Sequence, residues 1–283
     1  MDQSRGRHRS RGATRVLALL AAGALIASGC GSSSGSGTTA PSSPRALSAV
    51  AARELDRLAS PTAFAGAQLN LPSNEAAVDR RYLTELFDDA QRVWRGDFAS
   101  AHLAYRPTQL VLYWSKTDSG CGRKADSGPF YCPADRTVYL DLRFLALLRH
   151  QHGLGRVAEA FIVAHEVAHH VQQLLGISRA VALANDANPG ERNARSVKLE
   201  LEADCLAGVW ASSAYRRSRL SAHELNEGLR TAQLIGDDYL ARARGRVVDS
   251  ALFTHGSSEQ RQEWLRTGFR TGRPEACNTF TTR

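Results

Sequence analysis

Residues 161–176 read FIVAHEVAHHVQQLLG, and this run limits what the chain can fold into more than any other part of it. Apolar residues from Val157 to Leu175 recur at helical spacing, so the stretch predicts a long amphipathic helix stopped by Gly176. Residues four apart lie on one face of a helix. His165 and His169 can therefore aim imidazole nitrogens at one point, where a metal ion can sit. Glu166 follows the first histidine and stands beside that point, where it can hold and deprotonate a water. His170 is rotated about 100° from His169 and reads as a packing or supporting residue.

A catalytic zinc site needs a third protein ligand and an open position. A second predicted helix, Glu191 to Tyr215, carries Glu200 and Asp204, again four apart. Glu200 can bind the metal. Asp204 can accept a hydrogen bond from the far nitrogen of one ligand histidine and so fix its tautomer. Glu202 points about 200° away from Glu200 and is the weaker alternative for the third ligand.

The remaining pattern predicts a mainly helical α+β chain. Helices are expected over Ser48–Ala59, Asn74–Trp94, Asp141–His150 and Ser221–Ala243, and from Ser257 to Phe269. Two of them open on capping boxes, Ser221 with Glu224 and Ser257 with Gln260. Gln109–Trp114 and Thr137–Leu140 read as strands on either side of a cysteine loop.

The N-terminus reads as an export signal. Five arginines from Arg5 to Arg15 precede the apolar run Val16–Ile26, which is followed by Ala27, Ser28, Gly29 and Cys30. Small residues before a cysteine resemble a lipoprotein-type cleavage site, giving a signal peptide over residues 1–29 with Cys30 as the lipidated first residue; a plain signal peptide cut nearby, or an uncleaved anchor, is the alternative. More than one acyl chain on Cys30, palmitate among them, gives stable anchoring. Residues 30–44 form a flexible Gly/Ser/Pro tether, and residues 45–283 the folded domain. The expected location is the extracytoplasmic face of the cell membrane. Five arginines against Asp2 place +4 of the chain's +8 charge in the leader. The mild remainder, with no basic cluster interleaved with aromatics, gives no nucleic-acid footprint. Four cysteines remain after Cys30, an even number that favours disulfides in an exported protein. Cys121 and Cys132 flank a Gly/Pro-rich turn, so the favoured pairing is Cys121–Cys132 with Cys205–Cys277. No CxxC or CxxH spacing supports a cysteine-based metal site.

The blocks SGCG (119–122), GPFYCP (128–133), VYLD (138–141), AHEVAHHVQ (164–172), LELEADCLAG (199–208), IGDD (235–238), HGSSEQR (255–261) and the Cys277–Phe280 tail resemble, in order and spacing, the neutral zinc metallopeptidase family of bacteria. The resemblance runs from about Tyr105 to Phe280. It implies a zincin-like fold with a small sheet packed beside the HExxH helix. It also implies His165, His169 and a downstream glutamate as ligands of one zinc ion per chain. Two departures stand out: Ala168 where the family has glycine, and Glu202 where it has glutamine.

These readings converge on peptide-bond hydrolysis with Glu166 as general base and a peptide or protein as substrate. His255 is the first candidate for the oxyanion donor, with a helix-capping or structural role as the alternative; Tyr239 and Tyr215 follow. Three other functions compete. A catalytically silent zincin-fold lipoprotein would bind or escort envelope proteins. A structural zinc protein would need a fourth side-chain ligand. A cell-wall amidase shares the same chemistry.

Overall fold

The structure, a computed structural model, describes residues 43–58, 80–125 and 127–281. The signal segment and Cys30 lie outside the described residues, as does most of the tether. The first two helices are α1 (Pro44–Asp56), capped by Ser43, and α2 (Arg80–Ser100). A run of short strands follows: β1 (Gln109–Tyr113), β2 (Lys116–Thr117), β3 (Lys124–Ala125), β4 (Phe130–Cys132) and β5 (Thr137–Asp141). The rest is helical: α3 (Leu142–His152), α4 (Arg156–Leu174), α5 (Ile177–Ala187), α6 (Arg192–Arg216), α7 (Ala222–Leu234), α8 (Asp237–Ala243) and α9 (Ser258–Thr271). The mainly α, α+β expectation holds.

Strand β5 is central in a sheet of order β1-β5-β4, parallel to β1 and antiparallel to β4. Every residue of β5 is buried, as expected of a strand covered on both faces. The sheet meets α4 through β4 and β5. His170 ties them together: Tyr131 Oη on β4 donates to its Nδ1 at 3.0 Å, and its Nε2 donates to the Arg106 carbonyl at 2.7 Å. Burial lowers the pKa of this imidazole, which suits a neutral structural histidine.

Helix α4 is enclosed by α2, α6, α7 and the sheet. Ala164, Val167, Ala168 and Val171 are completely buried, so only small or well-fitted side chains are accommodated on that face. Helices α6 and α9 approach more closely than any side chain would permit. A Cβ on Gly268 would fall 1.8 Å from the Cys205 carbonyl oxygen, and one on Gly208 would fall 2.2 Å from the Leu265 carbonyl oxygen. The same seam carries the Cys205–Cys277 disulfide, and Cys121–Cys132 closes the strand-rich loop.

Three expectations are corrected. The segment between β1 and β5 is not a bare loop: it holds β2, β3 and β4, the last paired to β5. Gly176, at φ 78°, turns the chain directly into α5, which the sequence reading lacked. The helix expected over Ser221–Ala243 breaks at Gly236, whose extended backbone packs against Ser258 while Asp237 Oδ2 accepts from the amides of Thr254, His255 and Gly256. Both capping boxes are formed.

Candidate metal centre

Helices α4 and α6 bring the buried His165 and Glu200 and the half-buried His169 into one cluster whose ligand atoms all lie within 4.8 Å of one another. His165 Nε2 stands 3.1 Å from Glu200 Oε2, and His169 Nε2 stands 3.5 Å from Glu200 Oε1. Two ligands held about 2.0–2.1 Å from a tetrahedral zinc ion stand roughly 3.3 Å apart, so these spacings match that geometry. Two imidazole nitrogens and one carboxylate also form a donor set that zinc accepts with an open position left over. The residues fit the ion.

The back of His165 is held firmly. Its Nδ1 donates to Asp204 Oδ1 at 2.8 Å, and Arg261 grips both Asp204 oxygens at 2.8 Å through Nε and a terminal nitrogen. Asp204 and Arg261 are buried, at 0% and 3% exposure, so each charge needs the other. Burial opposes ionisation of Asp204, but Arg261 outweighs it and holds the carboxyl below its ordinary range. Burial likewise opposes charge on His165, but Asp204 and Glu200 prevail and raise the imidazole to about 10. Glu200 is held well below the carboxylate range, against its burial, by His169 and His165.

Glu166 is buried at 6% exposure beside the two histidines. Burial pushes its carboxyl up, against the pull of His165 and His169, which makes it a stronger proton acceptor than an exposed carboxylate. Glu202 is excluded from the cluster: it is fully buried on another side of α6 and accepts from Gln172 Nε2 at 3.0 Å.

His255 is not part of the ligand cluster but stands close enough to Glu200 for their charges to act on each other. Its Nδ1 lies 3.3 Å from Asp237 Oδ1 and 2.9 Å from Thr254 Oγ1, and its side chain is 33% exposed. Burial works against its charge, but the hydrogen bond to Asp237 prevails and raises its pKa. Of the weaker candidates, Tyr215 lies fifteen residues along α6 from Glu200, roughly 22 Å at helical rise, and packs on Phe269 instead. Tyr239 packs edge-on against His152. Sequence reasoning assigned no role to Arg261, Gln172 or Asp237, although all three fall inside the quoted blocks HGSSEQR, AHEVAHHVQ and IGDD.

Residues 49–280 match the family described as "Putative neutral zinc metallopeptidase". The chain is 43% identical to the uncharacterized protein YpfJ of Escherichia coli K12 over 204 residues, 71% of each chain. It is 37% identical to the uncharacterized protein Rv2575 of Mycobacterium tuberculosis H37Rv over 191 residues, 62% of this chain and 63% of the relative. No solved structure matches the chain.

Proposed function

The chain belongs to the neutral zinc metallopeptidase family, and on that premise we propose that it hydrolyses peptide bonds at the α4–α6 site. The observation that carries this reading is the convergence of His165, His169 and Glu200 at a largely buried point with the buried Glu166 alongside. His165 Nε2, His169 Nε2 and a Glu200 oxygen would hold one zinc ion. Zinc in such a site supplies Lewis acidity, acidifying a water toward neutrality and polarising the substrate carbonyl.

The protein's own groups do the rest. Glu166 takes the proton from the attacking water and returns it to the leaving amine nitrogen. Asp204, locked by Arg261, keeps the hydrogen on His165 Nδ1 so that Nε2 faces the metal. His255, oriented by Asp237, donates from Nε2 to the developing oxyanion. The helical walls around α4 keep bulk water from the buried side of the site.

The anchoring is also a proposal. It rests on the Arg5–Arg15 and Val16–Ile26 pattern before Cys30. Among the described residues no helix is long and apolar enough to cross a membrane. A lipid on Cys30, at the end of the tether, would hold the domain at the outer face of the membrane.

Metal analysis followed by cleavage of a peptide library tests the reading. The wild-type chain should carry one zinc and cleave; His165→Ala should lose both. Cleavage by the metal-free protein at the wild-type rate would overturn it. The silent-scaffold alternative is disfavoured because Glu166 and all three ligand residues are present and assembled.

A further inference from the structure

Gln172 lies one turn beyond His169 on α4 and is fully buried. Its side chain makes three contacts. Nε2 stands 2.8 Å from the Leu199 carbonyl oxygen and 3.0 Å from Glu202 Oε1, while Oε1 stands 2.8 Å from His169 Nδ1. The chemistry leaves one assignment for the amide. Its two hydrogens both meet acceptors, a carbonyl and a carboxyl oxygen. Flipping the amide would set its oxygen against both of them. Oε1 therefore faces His169, and because it only accepts, Nδ1 must carry the hydrogen. The free lone pair is then on Nε2, the nitrogen that faces Glu200 Oε1.

We propose that Gln172 and Glu202 form a positioning pair for His169, holding it in the Nδ1–H tautomer with Nε2 turned to the metal; this rests on the reading of His165, His169 and Glu200 as zinc ligands. Gln172 touches the histidine. Glu202 acts through Gln172, by supplying the acceptor that fixes which way the amide points. The two ligand histidines thus have separate supports of different character. His165 is backed by a carboxylate paired with Arg261, and His169 by a neutral amide. A carboxylate behind an imidazole raises its basicity as a ligand, and a neutral amide orients it without adding a further charge to a buried site. Glu202 uses only Oε1, and Oε2 has no hydrogen-bond partner among the described residues. A glutamine at 202 would offer the same acceptor oxygen without a charge, so the positioning pair requires only an acceptor there if Glu202→Gln retains zinc affinity.

The test is a zinc titration of the full-length chain, stripped of metal and competed against a chromophoric chelator. Gln172→Leu should weaken zinc binding by about 10–100-fold while the far-ultraviolet dichroism of the metal-free protein is unchanged. Cobalt bound in its place should show a shifted visible spectrum, reporting a reoriented ligand. Glu202→Leu should weaken zinc in the same direction, and Glu202→Gln should recover it. The Gln172→Leu/Glu202→Leu double variant should lose no more than Gln172→Leu alone, because Glu202 acts only through Gln172. Gln172→Leu binding within about twofold of wild type would overturn the proposal, as would losses that multiply in the double variant. Should Gln172→Leu fail to fold, the Glu202 pair decides: equal zinc affinity in Glu202→Leu and Glu202→Gln overturns it. Wild-type protein that binds no zinc, or His165→Ala that binds it as tightly as wild type, overturns the ligand assignment as well. The Gln172 and Glu202 variants bear on the positioning pair alone.

Discussion

At the residue scale the site is a set of buried charges that are tolerable only together. Asp204 and Arg261 neutralise each other, and His165 links the pair to Glu200. In the metal-free protein Asp204 and Glu200 hold the His165 imidazole at about 10, so it carries a proton at neutral pH despite its burial. The sign follows directly. A folded-state pKa above the ordinary value of about 6.5 stabilises the metal-free fold fully below that pH, and the contribution is lost as pH rises through 10. Zinc needs a neutral imidazole, so its binding at neutral pH must displace that proton. Zinc titration of the wild-type chain in weak buffer at neutral pH should therefore release a proton, and zinc affinity should climb with pH; zinc binding with no proton release would contradict this. The clustering of His165, His169 and Glu200 was legible in the sequence because i,i+4 spacing on a helix is a local rule, which also suggested Asp204 as support for one of the two histidines; that this histidine is His165 came from the structure. Arg261 was not, because its partner lies 57 residues away and nothing local announces the contact. Gln172 escaped for a different reason: it stands in the motif's own helix, but its acceptors are brought up by α6.

At the scale of elements, the approach of α6 and α9 determines whether the site closes. Gly208 lies one turn beyond Asp204, and Gly268 two turns beyond Arg261, so each glycine shares a face with its charged residue. Because neither has a side chain, the backbones touch and Arg261 reaches Asp204. Gly208→Ala or Gly268→Ala must push the helices apart, since the obstructing atoms are backbone. Each should cost on the order of 3 kcal/mol in a melt and weaken zinc binding as Arg261 withdraws. Unchanged stability in both would show that the seam has slack. Helix α5 was readable in principle. Ile177, Ala180, Val181 and Ala184 follow i, i+3, i+4, i+7 spacing and are all buried, but Gly176 before them reads as a stop. Strand β4 has three residues, too few for an alternation pattern, and is defined by its pairing with β5. The break at Gly236 likewise depends on the backbone of Ser258 arriving from α9.

At the scale of the whole molecule, the two disulfides fasten opposite parts of the fold. Cys121–Cys132 spans 11 residues within the strand region, while Cys205–Cys277 spans 72 and ties α6 to the C-terminal tail. Loop-closure entropy assigns the longer link about 4 kcal/mol and the shorter about 3 kcal/mol. Replacing Cys205 and Cys277 with serine should therefore lower the melting temperature more than replacing Cys121 and Cys132. The reverse order would mean that native contacts around the short loop dominate. Both links suit the oxidising side of a membrane, where the leader and Cys30 would deliver the domain. The central claim is that this fold holds zinc in order to cut peptide bonds with Glu166 as the base. Turnover of a cleavable peptide by zinc-loaded wild type and zinc-loaded Glu166→Gln tests it most directly. We predict that Glu166→Gln keeps its zinc and loses at least about 100-fold in kcat. Cleavage at the wild-type rate by a Glu166→Gln protein that retains its zinc would contradict the account.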